Sequence, residues 1–305
     1  MIRTSLNFYK KSPFIALLSY DEPENNIVCA PEDAEKFGIE FQLNAKNKDA
    51  IHYYLQTFPI SFKEYKTRFD AVRKYQERGE NSLLNLCFAT KIETNLTLRE
   101  IYKHANADAL IHKQNDFICF SPEPFVTIKD GFIHTFPMKG TIDASIKNAR
   151  QVLLNDEKEL REQEMMVELM KKDLSGVSTD VEVKKFRYIQ KVNDLYQTSS
   201  HVRGRLKENL DLGDIFSSVL PAGSITGSPK QQACTIIKEC EKQKRGFYTG
   251  VFIHFNGRVC KSFVMIRFVK KIKNELYFFS GGGITTQSDA KKEYEELIKK
   301  IYFPF

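Results

Sequence analysis

Residues 116–141 read Asp-Phe-Ile-Cys-Phe-Ser-Pro-Glu-Pro-Phe-Val-Thr-Ile-Lys-Asp-Gly-Phe-Ile-His-Thr-Phe-Pro-Met-Lys-Gly-Thr. Three β-prone runs, Phe117–Phe120, Phe125–Ile128 and Phe132–Phe136, are separated by Ser121-Pro-Glu-Pro124 and Lys129-Asp-Gly131, both rich in turn residues. Connections this short join antiparallel neighbours, whereas a parallel pair needs a crossover of a dozen residues or more. The chain is therefore expected to be built on hairpins. Pro137 stops the third run, and Gly140 frees the backbone directly after Lys139. A lysine between Met138 and a glycine is open to two readings. It is a solvated turn residue, or a partly desolvated amine with nucleophilic character.

Outward from this stretch, the composition sets bounds. The 305 residues are 42% apolar and 28% charged, enough for a large core, in one or two domains. The net charge of +7 comes from 46 basic and 39 acidic side chains with no long basic block, so neither nucleic acid nor a membrane is implied as partner. Six cysteines are scattered without paired metal spacing, which suits reduced thiols in a cytoplasmic protein. The apolar run Pro13–Leu18 is too short for a signal peptide or a membrane span.

Taken in order, residues 14–20 and 26–29 read as strands, and the next thirty are polar and irregular. Residues 61–78 read as a helix capped by Ser61, Leu83–Phe88 as a buried strand, and Leu98–Ala107 as a short helix. Residues 146–174 form the longest helical stretch. A step of about 100° per residue places Glu159 and Glu162 on or beside the arc of Leu160, Met166, Val167 and Met170. Carboxylates there need a partner, either a lysine or a bound cation.

Residues 188–207 read as helical. Leu220–Lys230, with two glycines and small hydroxyl residues ahead of a helix, is either an anion-binding turn or merely a tight one. Tyr248–Phe255 turns at Asn256-Gly257 into Val259–Val269, where Arg267 interrupts an apolar strand and calls for an anion. Gly281-Gly-Gly283 ends the last strand. A final helix then lines up Glu293, Glu296 and Lys300 on one edge.

Four stretches together resemble the chorismate-utilising enzymes, the group of aminodeoxychorismate, anthranilate and isochorismate synthases. They are Ser121–Phe125 with Pro137–Thr141, Glu162–Leu174, Pro221–Lys230, and Ser280–Ile284 with Ser288–Lys300. The resemblance covers about residues 60–300 and implies an α+β fold with two large antiparallel β-sheets packed face to face and helices outside. It implies a shortened N-terminal part, 1–60, integral to that fold, and a chorismate-binding catalytic domain, 61–305.

Lysine before the Gly-Thr pair marks the aminodeoxychorismate branch, where the anthranilate and isochorismate enzymes carry alanine. The resemblance implies that Lys139 is the nucleophile and Glu123 the general acid. It implies Mg²⁺ on Glu162 and Glu296, supported by Glu159 and Glu293. The chorismate ring carboxylate would lie at Gly281, Gly282, Gly283 and Thr226, and its enolpyruvyl carboxylate at Arg267, Tyr248 and Lys300. Ammonia would come from a separate glutaminase subunit, and the product would be 4-amino-4-deoxychorismate, the precursor of 4-aminobenzoate. Two departures stand out. Leu83 occupies the position where isochorismate synthases carry a water-activating lysine, and Gln197 the position of a frequent family histidine. The alternatives are an anthranilate synthase component and a non-catalytic binding protein on the same scaffold.

Overall fold

In a computed structural model, which describes residues 2–9, 11–47, 49, 51–192 and 194–305, hairpins do organise the chain. The strands begin with β1 (Phe14–Leu18), β2 (Ile27–Cys29), β3 (Ile39–Ala45), β4 (Leu55–Phe58), β5 (Leu83–Thr94) and β6 (Ala107–Lys113). They continue with β7 (Phe117–Ser121), β8 (Pro124–Lys129), β9 (Phe132–Thr135), β10 (Met138–Asp143), β11 (Ser178–Val192) and β12 (Leu195–Leu206). The last are β13 (Gly227–Ser228), β14 (Val251–Phe255), β15 (Cys260–Val264), β16 (Phe268–Ile272) and β17 (Glu275–Thr285). The helices are α1 (Ile2–Phe8), α2 (Phe62–Glu77), α3 (Leu98–His104), α4 (Ala149–Asn155), α5 (Glu157–Ser175), α6 (Leu212–Val219), α7 (Lys230–Glu241) and α8 (Ala290–Lys299). Among the described residues the strands form two antiparallel sheets, of nine and eight strands.

The chain divides into two units. The first contains Met1–Ser12, Pro124–Ser224 and Phe255–Ser262; the second contains Pro13–Glu123, Ile225–His254 and Phe263–Phe305. In the first unit β8 and β9 meet at Asp130 and Gly131, with φ of 50° and 75°, the mirror-image turn that matches the twist of antiparallel strands. Strand β12 carries β10 along its first half and β9 along its second, while β11 pairs along its other edge. Helix α5 buries Met166, Val167, Met170 and Leu174. Met170 sulfur lies 3.8 Å from the Thr135 hydroxyl of β9, so the helix packs on this sheet.

In the second unit the strand order is β13-β5-β17-β16-β7-β6-β3, with β4 also on β5. Here β1, β14 and the end of β15 bring Ile15, Leu17, Phe252 and Phe263 against Phe117, Cys119, Phe268 and Phe279. That core is where the two sheets face each other. On the opposite side α2, α7 and α8 cover β5 and β17 with Tyr65, Phe69, Val72, Ile236, Ile237 and Leu297.

Several local expectations are corrected. Residues 188–192 and 195–206 lie in strands, not in a helix: Ser200, Val202 and Gly204 are buried while His201, Arg203 and Arg205 are not, a period of two. The stretch 146–174 is two helices, because the Asp156 carboxylate accepts from Glu159 N at 3.0 Å and starts a new one. The strand expected from Tyr248 begins only at Val251, after Thr249 at φ 59°. The strand after Val259 breaks before Phe268, with Arg267 at φ 54°. The segment read as irregular contains β3 and β4, half-exposed strands whose pattern is too polar to stand out.

Candidate functional site

In the first unit, Lys139 sits on β10 where the pairing with β12 slips between Lys139 and Thr141. Gly140 supplies the slip, with φ 68°, and a Cβ there would lie 3.0 Å from Leu153 and 3.1 Å from a Glu159 carboxylate oxygen. The glycine thus lets α5 approach the strand beside the lysine. The Lys139 carbonyl accepts from the Thr198 hydroxyl, and Gln197 Nε2 reaches Met138 sulfur at 3.1 Å. Lys139 Nζ is 3.4 Å from Glu162 Oε2, and Lys158 Nζ is 3.6 Å from the other oxygen. Burial and the neighbouring Glu162 raise the Glu159 carboxyl above its ordinary range, against the opposing pull of Lys139. Lys139 of β10 and the neighbouring Glu159 and Glu162 of α5, further along the chain, form one cluster.

In the second unit, Gly281, Gly282 and Gly283 pair with Cys87, Leu86 and Asn85 of β5. A Cβ on Gly282 would come within 3.6 Å of Glu293 and 3.8 Å of Lys300 Nζ, so the missing side chain opens the strand toward α8. Lys300 donates to the Gly281 carbonyl and pairs with Glu296, each at 2.8 Å. The carbonyl of Thr226 accepts from Asn85 N at 2.8 Å, which ties the Pro221–Lys230 loop to the same strand. Thr226 is itself buried. Arg267 has a buried Nε without a hydrogen-bond partner among the described residues, an open donor of the kind an anion fills.

Tyr248 lies in the core, its ring 5.2 Å from that of Phe279. Burial, then the Cys87 thiol beside it, push its phenol well above the ordinary range. Glu123 follows β7, its carbonyl accepting from Val264 N at 3.0 Å and its amide donating to the Ser121 hydroxyl at 3.1 Å.

Among the described residues no three histidine, cysteine, aspartate or glutamate side chains assemble into a set that could hold a metal ion. The donor chemistry nevertheless suits Mg²⁺, which keeps several waters and takes one or two protein carboxylates. The two glutamates implied as ligands each already hold an ammonium group, Lys139 on Glu162 and Lys300 on Glu296. Among the described residues no helix is long and apolar enough to cross a membrane.

Sequence reasoning missed the fully buried pair of Arg245 and Glu241, 1% and 0% exposed, joined at 2.6 and 2.8 Å. Arg245 also donates to the carbonyls of Ile225 at 2.8 Å and Asn85 at 2.7 Å, and Glu241 accepts from Cys87 N at 2.9 Å. The pair binds the loop carrying Thr226 to the strand that faces the three glycines. It also missed Gln163, Ser200 and Arg187, which lie under the Lys139 cluster. The one available signal was polar type at a buried helical position, as at Gln163.

The sequence profile of the chorismate binding enzyme family matches residues 6–305. A Haemophilus influenzae protein described as an uncharacterized PabA-like protein is 42% identical over 97% of this chain and 93% of its own length. Aminodeoxychorismate synthase component 1 of Bacillus subtilis is 34% identical over 68% of this chain and 46% of its own. Among solved structures, the isochorismate synthase MenF of Escherichia coli superposes with a TM-score of 0.75 at 17% identity, over 98% of this chain and 80% of that one. That match shows the fold. The profile, spanning nearly the whole chain, shows that this protein belongs to the chorismate-binding enzyme family.

Proposed function

We propose that the protein is the synthase component of an aminodeoxychorismate synthase, replacing the C4 hydroxyl of chorismate by an amino group from ammonia. The observation that carries this reading is Lys139 on a glycine-bulged strand beside two glutamates, in a member of this family. The net reaction is chorismate plus ammonia to 4-amino-4-deoxychorismate plus water. Lys139 gives up its ammonium proton to solvent, regained on release, and forms a bond from Nζ to a ring carbon; the ring double bond shifts and the C4–O bond breaks. Glu123 gives the departing hydroxyl its proton, so water leaves. Ammonia then forms the C4–N bond, the double bond shifts back, the C–Nζ bond breaks to release the lysine, and the proton shed by the new C4 ammonium returns to Glu123.

Arg267, Tyr248 and Lys300 hold the enolpyruvyl carboxylate, while Thr226 and Gly281–Gly283 take the ring carboxylate, fixing the ring for attack. Glu162 and Glu296 would hold Mg²⁺, with Glu159 and Glu293 supporting its waters. Once bound, the ion draws charge toward the ring carboxylate. A separate glutaminase subunit supplies the ammonia, and the reaction takes place in the cytoplasm.

The test is the product formed from chorismate, ammonium and Mg²⁺. Aminodeoxychorismate, converted by an added lyase to 4-aminobenzoate, supports the reading. Anthranilate with pyruvate would move the protein to the other amination branch. No turnover and no chorismate-induced rise in melting temperature would favour a non-catalytic role.

A further inference from the structure

Arg187, on β11, is almost fully buried, and its guanidinium donates to the carbonyls of Leu153 at 2.8 Å, Leu154, and Asp156 at 3.0 Å. Leu153 and Leu154 lie in the last turn of α4, and Asp156 is where α4 ends and α5 begins. A cation at the carbonyl end of a helix is favourable. Yet a buried guanidinium ordinarily recruits a carboxylate or phosphate, and these three partners are all carbonyl oxygens. Arg187 also has a φ of 47°, a strained backbone for a residue with a side chain, and its Nε is buried without a hydrogen-bond partner among the described residues. What the fold gains is a fixed joint between the two helices.

The same residue has a second arm. Its amide donates to the Ser200 hydroxyl at 2.9 Å, and Gln163 Nε2 donates to that hydroxyl at 2.9 Å and to the Pro137 carbonyl at 3.1 Å. Ser200 N also donates to the Pro137 carbonyl, at 3.0 Å. This web starts at the α4–α5 joint and ends two residues before Lys139 and one after Glu162. We propose that Arg187, acting with Ser200 and Gln163, is a positioning residue that holds Glu162 beside Lys139; this role rests on the amination reading above.

The experiment is steady-state kinetics of the full chain with chorismate and ammonium, for Arg187→Lys, Arg187→Met and Ser200→Ala, with Arg203→Met as a control on the neighbouring strand. Rates are expressed per folded molecule by circular dichroism. Misplacement of a reacting group by about 1 Å costs up to about a hundredfold in rate. Arg187→Met is therefore expected to lower kcat about tenfold to a hundredfold with KM for chorismate within about twofold. Arg187→Lys should recover part of that loss, and the control should match wild type. A kcat per folded molecule within about twofold of wild type in the Arg187 variants, or a change confined to KM, would overturn the positioning role. If Arg187→Met does not fold, the same split read from Arg187→Lys and Ser200→Ala decides. A wild type that turns over no chorismate brings down the underlying reading instead.

Discussion

Lys139 Nζ lies 3.4 Å from Glu162 Oε2, and both side chains keep about 30% of their surface in solvent, 28% and 31%. A pair that exposed is worth about 0–1 kcal/mol. Lys139→Ala and Glu162→Gln are therefore expected to melt within a few degrees of wild type, at most about 1 kcal/mol less stable. Thermal denaturation checks this, and a large loss of stability would mean the cluster is a structural anchor. With folding preserved, any loss of turnover in these variants belongs to the chemistry.

Two glycines separate strain from occupancy. Gly140 has φ 68° and a Cβ there would press on Leu153 and Glu159, so Gly140→Ala should destabilise by about 1–3 kcal/mol and displace Glu159. Gly282 lacks a positive φ, and its nearest neighbours are at 3.6 Å and beyond. Gly282→Ala should therefore fold normally. On the proposed function it should raise KM for chorismate, because the methyl group fills the place of the ring carboxylate. Urea unfolding together with substrate titration tells the two variants apart.

The Arg245–Glu241 pair should be among the costliest polar sites to break. Removing one partner strands the other charge in a sealed core, at about 3–5 kcal/mol. Arg245→Met is expected to lower the urea midpoint far more than a change at an exposed pair such as Lys36–Asp33. A midpoint close to wild type would show that the core admits water or relaxes around Glu241.

His134 and His201 touch, Nδ1 to Nε2 at 3.0 Å, and both are held below the ordinary histidine range. Burial is the first cause for each. Arg203 and Lys129 then lower His134, and His134 followed by Arg203 lowers His201. The unfolded chain takes up protons near pH 6.5, at its ordinary histidine value, while the folded pair does not. The pair's stabilisation is thus fully present above about pH 6.5 and is lost as pH falls from there through the lowered folded values. Denaturant titrations between about pH 5 and 7 should show a smaller fall in stability for His134→Asn/His201→Asn than for wild type. Parallel curves would contradict it.

How far the fold could be read depended on where its signals lay. Asp130-Gly131 and Asn256-Gly257 announced hairpins because turn geometry is local. Strand β12 was misread because its buried positions, Thr198, Ser199, Ser200 and Gly204 beside Val202, are mostly small or polar, and Gln163 of α5 covers Ser200. Lys139, Glu159 and Glu162 were legible as motif residues and as acids on an apolar helix face. Arg187 and Arg245 were not, since their partners are mostly backbone carbonyls that only tertiary structure brings near. Even the four-residue spacing of Glu241 and Arg245 misleads, because α7 ends at Glu241 and the chain turns at Lys242, φ 55°.

On the proposed function, Lys139 makes this protein an amination enzyme at C4 of chorismate. The most direct measurement is the product formed from chorismate, ammonium and Mg²⁺ by wild type and by Lys139→Ala, resolved by chromatography and mass. Wild type is expected to form 4-amino-4-deoxychorismate, and the variant to form it at least about a hundredfold more slowly. Aminodeoxychorismate formed at the same rate by Lys139→Ala, or anthranilate from wild type, would contradict that expectation.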